Sequence, residues 1–259
     1  MLTDARRKAI EHIAAKDGEV IISKVAKELG VSIETIRRDI SQLCKENILT
    51  KVHGGAVPVV SVLSEATYRH RKEANFKTKQ IIGRTAEKLI SSNQVIAFST
   101  GSTIEAIVSN IHKKSIKVLT NSLPICDILS KLAESGEFDG DITLFGGLLN
   151  PKEHFTLGTS VTDKISSYHF DTAFIGAVGV CSQGLMCTTS EEGDIAAKLA
   201  LSSSQVILVV ESRKIGKPSV YRFADIGIVN KIVTDNENKI SDEMLELFKK
   251  NNIEIIIAE

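Results

Sequence analysis

Arginine and hydroxyl side chains are concentrated on one segment near the start of the chain. Apolar residues at positions 33, 36, 40 and 43 predict one buried face of a helix that Ser32 caps. At about 100° per residue, the polar side chains fall on the other side: Thr35, Arg37, Arg38, Ser41 and Gln42. Arginine can bind guanine edges or phosphate, and hydroxyls near a helix N-terminus can bind phosphate. The pattern is typical of a DNA recognition helix, although a helical domain that binds protein shows the same spacing.

The neighbouring segments complete a small module around this helix. Helices are predicted over about 3–17 and 22–29, and Gly30 is placed to end the second. After the third helix, Lys51 and His53 alternate with apolar residues, and Gly54-Gly55 can supply the positive φ angles of a tight hairpin. A basic hairpin beside a recognition helix is a wing, able to contact the DNA backbone or minor groove.

Short apolar runs alternate with helix-length segments from residue 95 onward. The predicted strands are 95–99, 116–120, 142–145, 172–175, 206–210, 231–234 and a further candidate within 253–258. The predicted helices are 102–111, 123–134, 191–201 and 242–251, with one more helix before residue 91. This alternation indicates a parallel sheet covered on both faces, a Rossmann-like α/β architecture. Ligands of such sheets bind at the carboxyl ends of the strands.

Several loops after these strands carry polar residues that can bind a ligand. Thr100, Gly101, Ser102 and Thr103 can wrap a phosphate, but the same residues can simply cap a helix. For Asn121 and Ser122, the pattern favours a cap of the helix that begins at residue 123 over ligand binding. Asp171 can cap a helix or bind a hydroxyl, and Lys214 can reach the same cleft or remain solvated.

The amino-acid composition limits the class of protein but does not identify a binding partner. Lysine plus arginine equal aspartate plus glutamate, 32 against 32, and residues 1–57 hold ten basic and eight acidic side chains, a net of +2. The four scattered cysteines, the strand-sized apolar runs and the absence of a leader pattern predict a cytoplasmic protein without a membrane span. Histidine spacing predicts no metal site, and we expect no cofactor. The predicted organisation is a DNA-binding domain at 1–57, a linker at 58–76 and a larger domain at 77–259.

Two motif sets resemble one known family. Gly30-Val-Ser-Ile-Glu-Thr-Ile-Arg-Arg-Asp39 with Lys51-Val-His-Gly-Gly-Ala-Val57 closely resembles the N-terminal signature of DeoR-type bacterial transcriptional regulators. The larger domain resembles the same family in Gly101-Ser-Thr103, Thr120-Asn-Ser122, Asp171-x-Ala-Phe-x-Gly-x-x-Gly179 and Ser212-x-Lys214-x-Gly216.

The resemblance implies a winged helix-turn-helix followed by an effector domain similar in fold to sugar-phosphate isomerases. It implies that Gly101, Ser102 and Thr103 hold the phosphate of a sugar, and that Asn121, Asp171 and Lys214 line the sugar site. The chain departs from the family pattern where Ser99 replaces a frequent acid, where Glu211 replaces aspartate and where Arg213 replaces serine.

Two functions follow from these readings. The first is a transcriptional repressor of a sugar-catabolic operon, relieved by a phosphorylated sugar and acting as a homodimer or higher oligomer on operator DNA. The alternative is a sugar-phosphate isomerase or deaminase with Lys214 and Asp171 as its nominal catalytic groups. No paired-acid loop of the isomerase type is present, so we expect a regulator and no enzyme.

Overall fold

The computed structural model describes residues 3–17, 20–46, 48–52, 54–58, 68–112 and 115–259. The chain forms two compact units, Met1–Ala66 and Thr67–Glu259. Within the described residues, every helix is too short or too polar to cross a lipid bilayer.

The first unit packs three helices against a small antiparallel sheet. Its elements are α1 (Thr3–Asp17), β1 (Val20–Ile21), α2 (Ile22–Glu28), α3 (Ile33–Lys45), β2 (Leu49–Val52) and β3 (Gly55–Pro58). The strand order is β1-β3-β2, so the hairpin of β2 and β3 forms the predicted wing. Ile36, Ile40 and Leu43 are buried as predicted, but Ile33 is 46% exposed. Ile33 is the first residue of α3, and the core begins one turn later.

Only one of the two wing glycines has the predicted backbone angle. Gly54 has φ +80°, the left-handed region, whereas Gly55 does not have a positive φ. Gly55 is required for a different reason, because an ideal Cβ there would lie 2.0 Å from the Val20 carbonyl oxygen. Gly55 pairs with both Ile21 and Val52, so the backbones of the three strands meet at this residue.

Replacing Gly55 by alanine should destabilise the first unit by at least about 2 kcal/mol, because backbone atoms cannot rotate away from the new methyl group. Gly54→Ala is the matched control and should cost about 1 kcal/mol, since its strain is confined to the left-handed angle. Hydrogen exchange of the α1 and α3 amides in the full-length protein measures both. Equal effects of the two substitutions would contradict the close approach at Gly55.

The second unit is built on a seven-stranded parallel sheet. Its helices are α4 (Tyr68–Glu73), α5 (Phe76–Glu87), α6 (Ser102–Val108), α7 (Leu123–Glu134), α8 (Thr159–Ile165), α9 (Ser190–Leu201) and α10 (Asp242–Lys250). The sheet strands are β4 (Val95–Phe98), β5 (Lys117–Thr120), β6 (Asp141–Leu144), β9 (Phe170–Ile175), β12 (Ser203–Val209), β14 (Lys231–Thr234) and β15 (Glu254–Ile257). All seven predicted strands are present, and the Rossmann-like α/β class is confirmed.

After residue 95, the sequence patterns did not predict five short strands and one helix of this unit. The strands are β7 (Leu148–Asn150), β8 (Phe155–Leu157), β10 (Gly179–Cys181), β11 (Gly184–Cys187) and β13 (Tyr221–Ala224). They form two small antiparallel sheets, β7-β8 and β10-β11-β13. The missed helix is α8. Runs of three or four residues carry too little periodicity to be recognised.

In the strand order β15-β14-β12-β9-β4-β5-β6, the first strand of the sheet in the chain, β4, lies in the interior of the sheet. From β4 the chain adds β5 and β6 on one side, and then β9, β12, β14 and β15 on the other. The direction of winding therefore reverses between β4 and β9, which pair directly through Ile96 and Thr172, Ala97 and Ala173, and Phe98 and Phe174. A crevice forms outside the carboxyl ends of strands at such a switch point.

Two apolar layers fix the sheet between its helices. Alternate residues of β4 point to opposite faces, so Ala97 belongs to one buried cluster and Ile96 and Phe98 belong to the other. Helices α5, α6 and α7 cover the second face, where the Phe98 and Phe174 rings stack with their centroids 5.2 Å apart. Helices α8, α9 and α10 contribute buried side chains to the first cluster.

Helix α4 lies inside the segment 58–76 that the sequence predicts as a linker. It belongs to the second unit and contacts α6. The domain bounds at 57 and 77 stay a prediction.

Candidate functional site

The polar side of α3 is arranged as its sequence predicts. Ser32 caps the helix, and its Oγ accepts a hydrogen bond from the Thr35 backbone N–H at 3.2 Å. Arg37 and Arg38 are exposed, and Glu34 lies 3.7 Å from the Arg37 guanidinium. The half-buried pair Ser41 and Gln42 continues this face, and Lys51 on the wing is exposed. His53 lies outside the described residues.

A buried carboxylate fixes the orientation of α3. Asp39 is buried, and its Oδ2 accepts a hydrogen bond from Arg6 Nε of α1 at 2.6 Å. Arg7 adds a second charge, with its Nε 3.4 Å from Asp39 Oδ1. Because Asp39 follows Arg38 directly, this inward bond turns both exposed arginines outward. Sequence reasoning did not assign this role to Asp39, although an acid on an otherwise apolar stripe at 36, 40 and 43 was its signal.

The loop after β4 crosses the switch point. Ser99 Oγ accepts a hydrogen bond from the Gly176 N–H at 3.2 Å, which joins this loop to the one after β9. Thr100 Oγ1 donates to Glu192 at 3.3 Å, and Gly101 has φ +130° with no described atom within 4 Å of an ideal Cβ. Ser102 begins α6, whose first N–H groups lack intrahelical acceptors. Thr100, Gly101 and Ser102 are therefore grouped at the carboxyl end of β4, with the buried Thr103 behind them.

Lys214 lies beside the same crevice. It ends a short 3₁₀ turn after β12, and its Nζ donates to the Ala177 carbonyl oxygen at 3.4 Å, in the loop after β9. Its side chain is 25% exposed, and its Nζ lies 3.6 Å from Glu211 Oε1. The structure therefore places Lys214 between the loops of β9 and β12, where the sequence predicts it.

Glu211 is the buried anion of this region. Its side chain is 2% exposed, and its carboxylate is surrounded by donors: Arg213 Nε at 2.9 Å, Asn75 Nδ2 at 2.7 Å and the Lys214 ammonium. Burial raises the pKa of Glu211, but the Arg213 hydrogen bond and the nearby positive charges outweigh burial and lower the pKa to about 2. Glu211 is therefore a charged structural centre that holds Arg213 and Lys214 in place.

Lys79 is a further cation that sequence reasoning missed. It lies on α5 and is 3% exposed, and its Nζ donates to the Ala74 carbonyl oxygen at 2.7 Å and to the Arg71 carbonyl oxygen. Burial lowers its pKa to about 8, because the attraction of Glu211 is offset by the charges of Lys214, Arg213 and Arg71. The sequence feature that could have identified Lys79 is its position on the buried stripe of α5, together with residues 82, 83 and 86.

Asn121 follows β5 and is buried. Its Nδ2 donates to the Thr156 backbone carbonyl oxygen at 2.8 Å, and the backbone carbonyl oxygen of Asn121 accepts from the Thr156 N–H at 2.9 Å. Ser122 provides the cap of α7, so the helix does not use the Asn121 side chain. Within the described part of the chain, Asn121 Oδ1 has no hydrogen-bond donor and can accept one from a ligand.

Asp171 does not belong to this site. It is the second residue of β9 and therefore lies at the amino edge of the sheet, about 13 Å along the strand from Ile175. Its Oδ2 accepts a hydrogen bond from the Val95 N–H at 2.7 Å, at the start of β4. The prediction that Asp171 lines the sugar site was wrong because this motif, treated as a loop, begins with a strand.

Comparison with known families decides the identity of both units. Residues 6–62 match the DeoR-like helix-turn-helix domain family, and residues 74–236 match the DeoR C terminal sensor domain family. The chain belongs to the DeoR family. It is a DNA-binding transcriptional regulator that joins a winged helix-turn-helix to a sensor domain.

Two relatives of this DeoR-family chain are named as repressors. The HTH-type transcriptional repressor GlcR of Bacillus subtilis (strain 168) is 28% identical over 260 residues, which cover 100% of this chain and 98% of GlcR. The lactose phosphotransferase system repressor of Staphylococcus epidermidis is 29% identical over 241 residues, covering 92% and 94%. Among solved structures, ribose 5-phosphate isomerase A from Methanocaldococcus jannaschii is 16% identical, with a TM-score of 0.37 over 55% of each chain, which carries no functional argument.

The buried charge of Glu211 gives the DeoR sensor unit a defined acid dependence. Its pKa is lower in the folded state, about 2 against 4.5, so its stabilisation is present above pH 4.5 and lost as the pH falls toward 2. Glu211→Gln should cost about 3 kcal/mol at neutral pH, and this difference from the wild type should shrink below about pH 4.5. Urea unfolding followed by circular dichroism measures it, with the exposed Glu246→Gln as control. A difference that is constant down to pH 3 would contradict the assignment.

Proposed function

We propose that this regulator represses a sugar-catabolic operon and leaves its operator when a phosphorylated sugar binds the sensor unit. The observation that carries the proposal is the open loop at Gly101, placed at the switch point of the sheet, where Ser102 shares the Arg71 carbonyl oxygen with the buried cation Lys79. Its relatives support the choice of ligand, since one is named for the lactose phosphotransferase system.

In this proposal the phosphate binds the loop Thr100–Thr103. The backbone at Gly101 permits close approach, the hydroxyls of Thr100 and Ser102 donate hydrogen bonds, and the first N–H groups of α6 face the anion. Lys214 supplies a positive charge from the loop after β12, and Asn121 Oδ1 accepts a sugar hydroxyl. Lys79, Arg213 and Lys214 supply positive charge around the carboxylate of Glu211, and Glu192, which accepts a hydrogen bond from Thr100 Oγ1, adds a second carboxylate at the loop.

In this proposal the DNA-binding surface is the outer face of α3 with the wing: Ser32, Thr35, Arg37, Arg38, Ser41, Gln42, Lys51 and His53. Two copies of this surface are needed to read a two-fold operator, so the protein acts as a homodimer or a higher homo-oligomer in the cytoplasm. The sugar phosphate must bind the arrangement that does not hold DNA more tightly, because a ligand with equal affinity for both arrangements shifts no population.

Regulation is better supported than isomerase or deaminase activity. Asp171, the carboxylate that could serve as general base, lies at the opposite edge of the sheet from Lys214. Glu211 is on the correct edge, but its charge is held by Arg213, Lys214 and Asn75 with a pKa of about 2. A carboxylate this acidic is a poor proton acceptor at neutral pH.

A thermal-shift screen of the purified protein tests the proposed function. Phosphorylated sugars are compared with their unphosphorylated parents at a hundred times the dissociation constant, where binding adds about 2.7 kcal/mol of stability. We expect one phosphosugar to raise the melting temperature and its parent to leave it unchanged. An equal shift of the melting temperature by the unphosphorylated parent sugar would exclude phosphate recognition. Conversion of a phosphosugar to product by the purified protein would support the alternative enzymatic function.

Arg38→Ala and Arg37→Ala should each weaken operator binding without unfolding the protein, because both side chains are exposed. Loss of one phosphate contact also reduces the slope of log affinity against log salt by about 0.9, whereas loss of a base contact reduces discrimination between sequences by about 1–3 kcal/mol. An operator selected from random duplexes serves for the titration. The exposed Arg84→Ala in α5 is the control, and wild-type affinity in both arginine variants would exclude α3 as the recognition helix.

Lys214→Ala should leave operator affinity unchanged and raise the sugar-phosphate concentration needed for release by at least tenfold, about 1.4 kcal/mol. Its neighbour Lys217 is exposed, so Lys217→Ala removes an equal charge outside the site. Titration of operator release with the screened phosphosugar distinguishes the two. A wild-type response of Lys214→Ala would remove Lys214 from the effector site.

A further inference from the structure

Helix α4 is the first described element after the DNA-binding unit. The wing strand β3 ends at Pro58 and α4 begins at Tyr68, so the segment 59–67 joins the two units covalently. Any change in the sensor unit that travels along the chain to the DNA-binding unit must pass through α4. The contacts that hold α4 in place therefore bear on regulation.

Polar contacts hold the side chains of Tyr68, Arg71 and Lys72 on the sensor unit. Tyr68 Oη donates to Glu105 Oε2 of α6 at 2.9 Å, and the Lys72 ammonium lies 3.1 Å from the same oxygen. Arg71 forms an ion pair with Glu153, in the loop between β7 and β8. The helix sequence Tyr-Arg-His-Arg-Lys-Glu contains no aliphatic residue. A six-residue helix of this composition is unstable alone and keeps its position through such contacts.

The backbone end of α4 is bonded to the proposed phosphate site itself. The Arg71 carbonyl oxygen accepts a hydrogen bond from Ser102 Oγ at 3.3 Å and another from Lys79 Nζ. Lys79 Nζ also donates to the Ala74 carbonyl oxygen, just beyond α4. Ser102 is the first residue of α6, and Lys79 is a buried cation of the cluster around Glu211. An anion bound at Gly101 would compete with the Arg71 carbonyl oxygen for these same donors.

The space beside α4 permits such an exchange. A cavity of about 160 Å³ is lined by Lys72 of α4, Lys79 of α5, and Ser102 and Glu105 of α6. Glu105 is buried, and among the described residues its Oε1 has no hydrogen-bond donor. The lysine and serine that hold α4 therefore face open volume in which their side chains can reorient.

We propose that α4 is a latch, and that a phosphate at the Thr100–Thr103 loop opens it by taking Ser102 Oγ and Lys79 Nζ from the Arg71 carbonyl oxygen. This inference rests on the proposed function. The latched arrangement is the one that binds operator DNA, and opening of α4 lowers the population of that arrangement. Sensor and operator are then coupled reciprocally, since whatever opens α4 weakens DNA binding and strengthens phosphate binding.

Two substitutions remove latch contacts without touching the phosphate loop. Tyr68→Phe removes the hydroxyl bonded to Glu105, and Glu153→Gln removes the charge paired with Arg71. Tyr221→Phe is the matched control, because it removes an equivalent bond, from Tyr221 Oη to Asp194 Oδ1 at 2.8 Å, between β13 and α9. Each latch variant should bind the selected operator at least threefold more weakly than wild type with no phosphate present. The Tyr221→Phe control should bind it as wild type does.

Hydrogen exchange of the full-length protein gives a second measurement that needs no operator. Inorganic phosphate is the probe, and its binding is verified by thermal shift. We expect saturating phosphate to accelerate exchange in the peptide 68–76 of the wild type, and both latch variants to show fast exchange without phosphate. Slower or unchanged exchange on binding of phosphate would overturn the latch.

The two proposals fail in different ways. If phosphate and every phosphosugar leave the melting temperature unchanged, the proposed effector site is wrong, and the latch, which rests on it, is overturned with it. If phosphate binds but operator affinity and exchange of 68–76 in Tyr68→Phe and Glu153→Gln match the wild type, the latch is wrong and the effector site stands.

Discussion

The reversal of winding between β4 and β9 is the constraint on which the sensor unit depends. Because β4 lies at the centre of the sheet and its neighbours were added in both directions, the loops after β4 and β9 diverge and leave a crevice. The bond from Gly176 N–H to Ser99 Oγ closes the floor of this crevice. Thr100, Gly101 and Lys214 all lie at one edge of the sheet, because parallel strands have their carboxyl ends at the same edge.

The sequence predicts this sheet well because buried parallel strands are short, continuous apolar runs. All seven strands, the cap at Ser32 and the positions of Gly101 and Lys214 follow from such runs and their boundaries. The first residue of β9 was not predicted, because Phe170 and Asp171 precede the predicted strand yet belong to β9. The predicted strand 172–175 already placed Asp171 at the amino end of a strand, and its assignment to the sugar site came from the family resemblance.

Other features depend on tertiary contacts that no local pattern encodes. Gly55 was assigned a backbone angle, but its requirement comes from the Val20 carbonyl on a strand distant in sequence. Lys79 occupies a buried position on the stripe of α5 where an apolar residue is expected. Its partners are the backbone carbonyl of Arg71 in α4 and that of Ala74 just beyond α4. The small sheets that contain β7, β8 and β13 pair segments too short to show alternation.

Electrostatic interactions couple the proposed phosphate site to the charged residues around it. Buried Glu211 organises Arg213 and Lys214, and burial lowers the pKa of Lys79 to about 8, with these cations and Arg71 offsetting the attraction of Glu211. An added anion would therefore act on all four cations at once, and Lys79 is also a donor to the end of α4.

Moving a two-state equilibrium from 1:99 to 99:1 takes about 5.5 kcal/mol. Hydrogen bonds to charged groups contribute about 1.5–3 kcal/mol each. A helix without aliphatic residues that is held by a few such bonds has a stability on the scale that one bound phosphate can overcome.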